Sequence, residues 1–444
     1  MASGFSPGHR LYLAEQAVRL KVDQEPAWAL GPGHEQAMQQ GGNMDSASRR
    51  AFLRVSGVAA GVAAMGMDLF SERELAMAAM PTEIFSGTAM PPADAVLINF
   101  NENPLGPSAA ARKAAIALLP QSGRYLFPQQ LHLAELFASQ HHLPADHVEV
   151  YPGSGVALDA LTLAFTSPSA PLVVADPSYE QPFQMAGKHQ VPVHKVPLRP
   201  DFSHDVKAMA AAAPDAGLIY VCNPNNPTGT VTARADIEWL LANKPKSAIV
   251  LVDEAYIHFS DAPSVLDLVA QGKDLVVLRT FSKLYGMAGM RVGAVAARPD
   301  LLAHIQALRT GGGAALPVMS VAAAIASLND PRLVPTRKKI NATIRDENIA
   351  WLRKQGYACT PSQGNCFMLD VKRPGHEVAM QMASQHVFVG RSWPIWPNQL
   401  RISVGTASEM SRFRKAFSEA MAGKLTAVAA APVPAKLASW QSLA

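Results

Sequence analysis

Between residues 148 and 297 the chain repeats one pattern seven times: a short run of β-branched and other apolar residues, then a stretch of helical length. The runs cover 148–150, 171–174, 191–193, 217–221, 248–252, 275–278 and 292–295. A strand that is apolar on both faces must be covered on both, and helical crossovers join strands that run parallel. The pattern predicts an α/β fold whose large domain, 122–312, is a mostly parallel seven-stranded sheet clad with helices. In such sheets ligands collect beyond the carboxyl ends of the strands. The polar motifs stand at those places. Gly153-Ser154-Gly155 follows the first run, Asn223-Pro224-Asn225-Asn226-Pro227-Thr228-Gly229 the fourth, Asp253 the fifth and Ser282-Lys283 the sixth.

A smaller α/β domain is expected from 85–121 together with 313–424. It would contain a long helix through 337–354, a strand around 366–369 and another at 400–404. The stretch 425–444, rich in Ala and Pro, reads as a flexible tail. With 444 residues, 49% of them hydrophobic, the chain can bury a core in one or two domains. A formal charge of +4 without blocks of like charge argues against a nucleic-acid groove. Cys222, Cys359 and Cys366 form no CxxC pair, and His141-His142 matches no metal-ligand spacing. No metal is expected.

Ser48-Arg49-Arg50-Ala51-Phe52-Leu53-Arg54 has the order of a twin-arginine export motif and precedes an apolar stretch, 55–64, too short to span a bilayer. Ala76-Met77-Ala78 offers a cleavage site. The segment 44–80 is accordingly read as a signal that engages the twin-arginine export machinery, with Met44 as the start and 1–43 as an upstream extension. The mature protein is then expected in the periplasm and outside any membrane. If the signal does not function, the location is cytoplasmic; an amphipathic lead-in helix with a chance Arg pair is the alternative.

The chemistry centres on Arg279-Thr280-Phe281-Ser282-Lys283-Leu284-Tyr285-Gly286-Met287-Ala288-Gly289-Met290-Arg291. A lysine after a strand is usually just solvated. Here hydroxyls, glycines and an arginine surround it, as a phosphorylated aldehyde cofactor requires: the amine forms an imine, Thr280 and Ser282 hydrogen-bond phosphate, and Arg291 pairs with it through a planar fork. Asp253 could cap a helix, or could be a buried carboxylate that keeps a pyridinium nitrogen charged, with Tyr256 donating to the ring oxygen. The Asn-Pro cluster could be an ordinary turn, or Asn226 could fix the ring oxygen. Gly153-Ser154-Gly155 feeding a helix is a ready phosphate site, though weak evidence by itself. In Leu400-Arg401-Ile402-Ser403-Val404, period-two alternation sets Arg401 opposite Leu400, Ile402 and Val404. It is either solvated on an edge strand or a bidentate clamp for a substrate carboxylate.

These motifs, with Asn101-Glu102-Asn103-Pro104-Leu105-Gly106-Pro107, Arg124-Tyr125 and Pro177-Ser178-Tyr179, occur in an order that resembles the fold-type-I class I/II aminotransferases. The histidinol-phosphate aminotransferase branch is the most similar. The likeness covers roughly residues 95 to 420. It implies pyridoxal 5'-phosphate as cofactor, Lys283 as Schiff-base lysine and proton shuttle, and Asp253 as pyridinium partner. It further implies Asn226 and Tyr256 on the ring oxygen, Tyr179 stacked on the ring, and Ser154, Gly155, Ser282 and Arg291 on the phosphate. Tyr125 would reach the cofactor of a second subunit, implying a homodimer. Asn103 and Arg401 would bind the substrate carboxylate, and Arg391 would match a second substrate-binding arginine.

One departure bears on substrate. Between Arg391 and Arg401 stands Ser392-Trp393-Pro394-Ile395-Trp396-Pro397-Asn398-Gln399, an apolar and rigid segment. The implied function is transfer of an amino group between an amino acid, or a histidinol-phosphate-like amine, and a 2-oxo acid. Two alternatives stand beside it: a decarboxylase or lyase of the phosphothreonine decarboxylase type, and a protein that binds the cofactor without catalysis.

Overall fold

The structure is a computed structural model that describes residues 91–308 and 315–427. The twin-arginine motif, the segment 44–80, the stretch 1–43 and most of the expected tail lie outside the described residues. All described residues belong to one compact unit.

Its strands are β1 (Val96–Ile98), β2 (Val148–Tyr151), β3 (Leu172–Asp176), β4 (Val193–Pro197), β5 (Leu218–Cys222), β6 (Ile249–Asp253), β7 (Leu275–Thr280), β8 (Gly293–Ala297), β9 (Cys366–Asp370), β10 (Val387–Val389) and β11 (Gln399–Ser403). The helices are α1 (Ala109–Leu118), α2 (Phe127–Gln140), α3 (Ser154–Phe165), α4 (Gln181–Lys188), α5 (Val206–Ala211), α6 (Arg234–Asn243), α7 (Pro299–Ala307), α8 (Val318–Leu328), α9 (Leu333–Lys354), α10 (Gly375–Ala383) and α11 (Ala407–Met421).

Seven strands form one sheet in the order β2-β8-β7-β6-β5-β3-β4. All neighbours are parallel except β8, which runs antiparallel to β2 and β7. The seven apolar runs are these strands. The third is displaced: β4 begins at Val193 because Pro192 has no N–H to give to a ladder, and its carbonyl instead accepts from Leu172. Alternation along each strand loads both faces. Ile219, Val221, Val250, Val252 and Val277 pack under α1, α2, α5, α6 and α8. Leu218, Tyr220, Cys222, Leu251 and Leu278 pack under α3, α4 and α7.

A third core lies around two small sheets: β1 paired parallel with β10, and β9 paired antiparallel with β11. The β1–β10 pairing joins positions some 290 residues apart, Val96 to Val387. It carries the segment just after β1, residues 99–102, to the carboxyl edge of the large sheet, where β5, β6 and β7 also end.

Candidate active site

Asp253 is the last residue of β6 and shares the face of Leu251, so it emerges from the apolar sheet with its carboxyl still enclosed, 4% exposed. Oδ2 accepts from the Tyr220 hydroxyl at 2.9 Å and Oδ1 from the Ala255 N–H at 3.1 Å. Burial pushes its pKa up to about 6, against the pull of those two hydrogen bonds. No α-helix starts at Asp253, so it is a buried carboxylate rather than a helix cap.

Lys283 stands three residues beyond β7. Its Nζ donates to the Phe100 carbonyl at 3.1 Å and lies 5.7 Å from the centre of the Tyr256 ring. Burial, aided by the Arg401 and Arg291 charges and opposed by Glu102, lowers its pKa to about 8. The shift raises the fraction of neutral amine near physiological pH, the state a nucleophile or base needs.

Arg401 occupies β11 as the alternation predicts, with Leu400 and Ile402 turned into the third core. Its guanidinium is fixed on two sides: Nη1 donates to Asn226 Oδ1 at 2.9 Å and Nη2 to the Asn99 carbonyl. Asn226 Oδ1 and the Tyr256 hydroxyl both accept from the Asn101 amide, at 3.4 and 3.2 Å. Asn101 is held in turn by Ser403, which donates to its Oδ1 at 2.7 Å and accepts from its N–H at 2.9 Å. The other asparagines of the Asn-Pro cluster hold the turn together: Asn223 bonds the Thr232 backbone, and Asn225 bonds Ser178, Thr228 and the Pro177 carbonyl.

On the other side, α3 begins at Ser154 without a side-chain cap, leaving its first N–H groups and the positive end of the helix dipole for an anion. Gly153 has φ +86°, and a Cβ there would stand 2.7 Å from Arg291 Cζ, so the guanidinium lies directly on this turn. Ser282 lines the same space. Thr280, expected on the phosphate, stands behind it: its Oγ1 donates to Ser282 Oγ at 3.0 Å and accepts from the Ser282 N–H at 3.2 Å.

These groups enclose a cavity of about 490 Å³ whose walls include Ser154, Gly155, Tyr179, Asn226, Asp253, Tyr256, Ser282, Lys283, Arg291 and Arg401. Its size and donor set fit a phosphorylated pyridine aldehyde: an anion cradle, a buried carboxyl for a ring cation, and an amine open into one cavity. The hydroxyl of Tyr179 is anchored on Gln181 at 3.0 Å, and Gln181 also donates to the Gly155 carbonyl and to Asp159.

The Asn103 amide donates to the Leu284 carbonyl at 2.8 Å and its Oδ1 accepts from the Leu105 N–H at 3.1 Å, so backbone occupies both ends, and Asn101 stands beside the site. Two expected residues lie elsewhere. Arg391, expected to face substrate, is ion-paired with Glu180 and stacked over Trp393 at 4.1 Å. Tyr125 is 72% exposed, outside the cavity, and stacked on Phe127 at 5.3 Å. Sequence reading also missed Tyr220. A tyrosine in an otherwise aliphatic strand, two residues before its end, was the available signal: a buried hydroxyl needs a partner.

Residues 93–417 match the family described as aminotransferase class I and II. The chain is 36% identical over 331 residues to a histidinol-phosphate aminotransferase of Symbiobacterium thermophilum, covering 74% of this chain and 91% of that one. A relative of the same name from Moorella thermoacetica is 34% identical over 342 residues, covering 74% and 86%. Among solved structures, a histidinol-phosphate aminotransferase from Sinorhizobium meliloti in complex with pyridoxal-5'-phosphate superposes with a TM-score of 0.70. It is 22% identical, with 81% of this chain and 99% of that chain covered.

Proposed function

Since the chain belongs to the class I and II aminotransferases, we propose that it moves an amino group between an amino acid, or a histidinol-phosphate-like amine, and a 2-oxo acid, with pyridoxal 5'-phosphate as cofactor. The observation that carries this reading is that Lys283 and Asp253 open into one cavity with their ionisation shifted toward each other, the amine to about 8 and the acid to about 6.

When bound, the cofactor supplies an aldehyde that captures the donor amine and a ring that absorbs the electron pair left on the α-carbon. Ser154, Gly155, Ser282 and Arg291 would hold its phosphate, Asp253 its ring nitrogen, and Asn226 and Tyr256 its ring oxygen. Tyr220 and the Ala255 N–H keep the Asp253 carboxyl aimed. Lys283 Nζ takes the α-proton of the donor and returns it one position along, which its lowered pKa permits. Arg401, immobilised by Asn226 and the Asn99 carbonyl, grips the donor carboxylate and so favours loss of the proton over loss of carbon dioxide.

Mixing the loaded enzyme with amino acids should shift the absorbance of the bound cofactor and release a 2-oxo acid without carbon dioxide. One carbon dioxide per turnover would select the lyase reading; an unchanged spectrum with every amine would leave cofactor binding alone.

The same reading includes a homodimer and export. Support for the dimer is the exposed Tyr125, with exposed Phe127 and Leu131 one turn apart on α2. Support for export through the twin-arginine machinery to the periplasm is the motif from Ser48 to Arg54. Cell fractionation that finds the protein in cytoplasm alone would reject it.

A further inference from the structure

Each cationic side chain that lines the cavity has a task in the proposed reaction: Lys283 the amine chemistry, Arg291 the phosphate, Arg401 a carboxylate. One more guanidinium stands next to Arg401. Arg391 follows β10, its carbonyl accepts from the Arg401 N–H at 3.2 Å, and its charge and that of Arg401 work against each other. Both guanidinium groups address the ring of Trp393, at 4.1 and 5.6 Å. Trp393 is 3% exposed and locked by a bridge to Trp396, which meets Phe202 edge-on.

Were Arg391 free, this corner would offer two positive charges and suit a dianion or a second carboxylate. It is not free. Glu180, whose neighbours Tyr179 and Gln181 both line the cavity, pairs with it, and each partner is only 15% exposed. The buried pair is neutral as a unit, leaving one net positive charge, on Arg401. A second negative charge brought there would have to displace Glu180 or sit unpaired in a poorly solvated wall, which is unfavourable.

We propose that the Glu180–Arg391 ion pair, backed by Trp393, sets the donor class: the cavity takes amino acids with one carboxylate and an uncharged side chain in preference to phosphorylated or dicarboxylic donors. The inference rests on the aminotransfer reading and narrows it.

The test uses the loaded full-length enzyme and single-turnover absorbance changes with phenylalanine, leucine, glutamate, aspartate, histidinol and histidinol phosphate. Rate constants per unit concentration should favour the better neutral amino acid over glutamate and histidinol phosphate by at least about tenfold. Glu180→Gln, which removes the charge and keeps the shape, should raise the charged-to-neutral ratio by about tenfold or more. A wild-type enzyme that prefers histidinol phosphate to every neutral amino acid, or a ratio unmoved by Glu180→Gln, overturns the proposal. If that variant does not fold, the wild-type ranking decides alone. Calorimetry with inorganic phosphate on the loaded enzyme, whose own phosphate site is filled, gives a readout independent of turnover. Wild type should show no saturable heat up to about 10 mM and Glu180→Gln should show it; saturable binding to wild type overturns the proposal. Absence of any spectral change with all six amines would defeat aminotransfer itself, and the phosphate experiment would still judge the ion pair.

Discussion

At the scale of single residues, the site is a matter of two groups held away from their ordinary ionisation. Lys283 is lowered chiefly by burial, and next by Arg401. The rate of cofactor uptake by the apoprotein should therefore rise with pH through about 8 and level off. Arg401→Gln should move that midpoint upward, since a cation that disfavours the ammonium form has gone. Stopped-flow absorbance across pH measures both. Asp253 is shifted the other way, from 3.8 to about 6. A carboxyl whose folded pKa lies above its unfolded one stabilises the fold most below the unfolded value and loses that contribution as pH rises through the folded one. Apoprotein stability should fall between about pH 4 and 6 by up to about 3 kcal/mol from this group, taking 1.36 kcal/mol per unit. Denaturant titrations of wild type and Asp253→Asn would isolate the contribution; parallel pH profiles for the two proteins would refute it.

At the scale of elements, the turn from β2 into α3 tolerates little change. Alanine at Gly153 would have to adopt φ +86° with ψ 153°, a region essentially reserved for glycine, at about 1–3 kcal/mol, and would push Arg291 from the helix terminus. Cofactor affinity in a spectrophotometric titration should drop by about tenfold or more, while a Gly187→Ala control, with nothing within 4 Å, should leave it unchanged. This region was legible in sequence because its signals are local: apolar runs, a glycine pair before a helix, hydroxyls around a lysine, and period-two alternation about Arg401. What escaped depends on long-range pairing. Strand β1 has three residues and exists through β10. Asn101 and Asn103 look equivalent in the motif, but Asn101 has φ +54°, so the backbone turns there and only Asn101 meets Ser403. The Glu180–Arg391 pair joins positions 211 residues apart, and no local pattern announces it.

At the scale of the whole molecule, the exposed aromatic and aliphatic groups near Tyr125 should be covered in solution by a second copy of the chain. Sedimentation should give twice the chain mass, and Phe127→Glu with Leu131→Glu should shift it toward the monomer and weaken cofactor retention; a monomeric wild type would reject the dimer. The path of the chain has a further outcome. The corner proposed to grip the donor is assembled from residues 99–101, near the beginning of the described chain, and 401–403, near its end. A polypeptide still emerging from the ribosome, or one cut short by a premature stop, has the lysine and the aspartate but cannot close the corner around them. Capture of a carboxylate, as proposed for Arg401, thus waits on synthesis through β11.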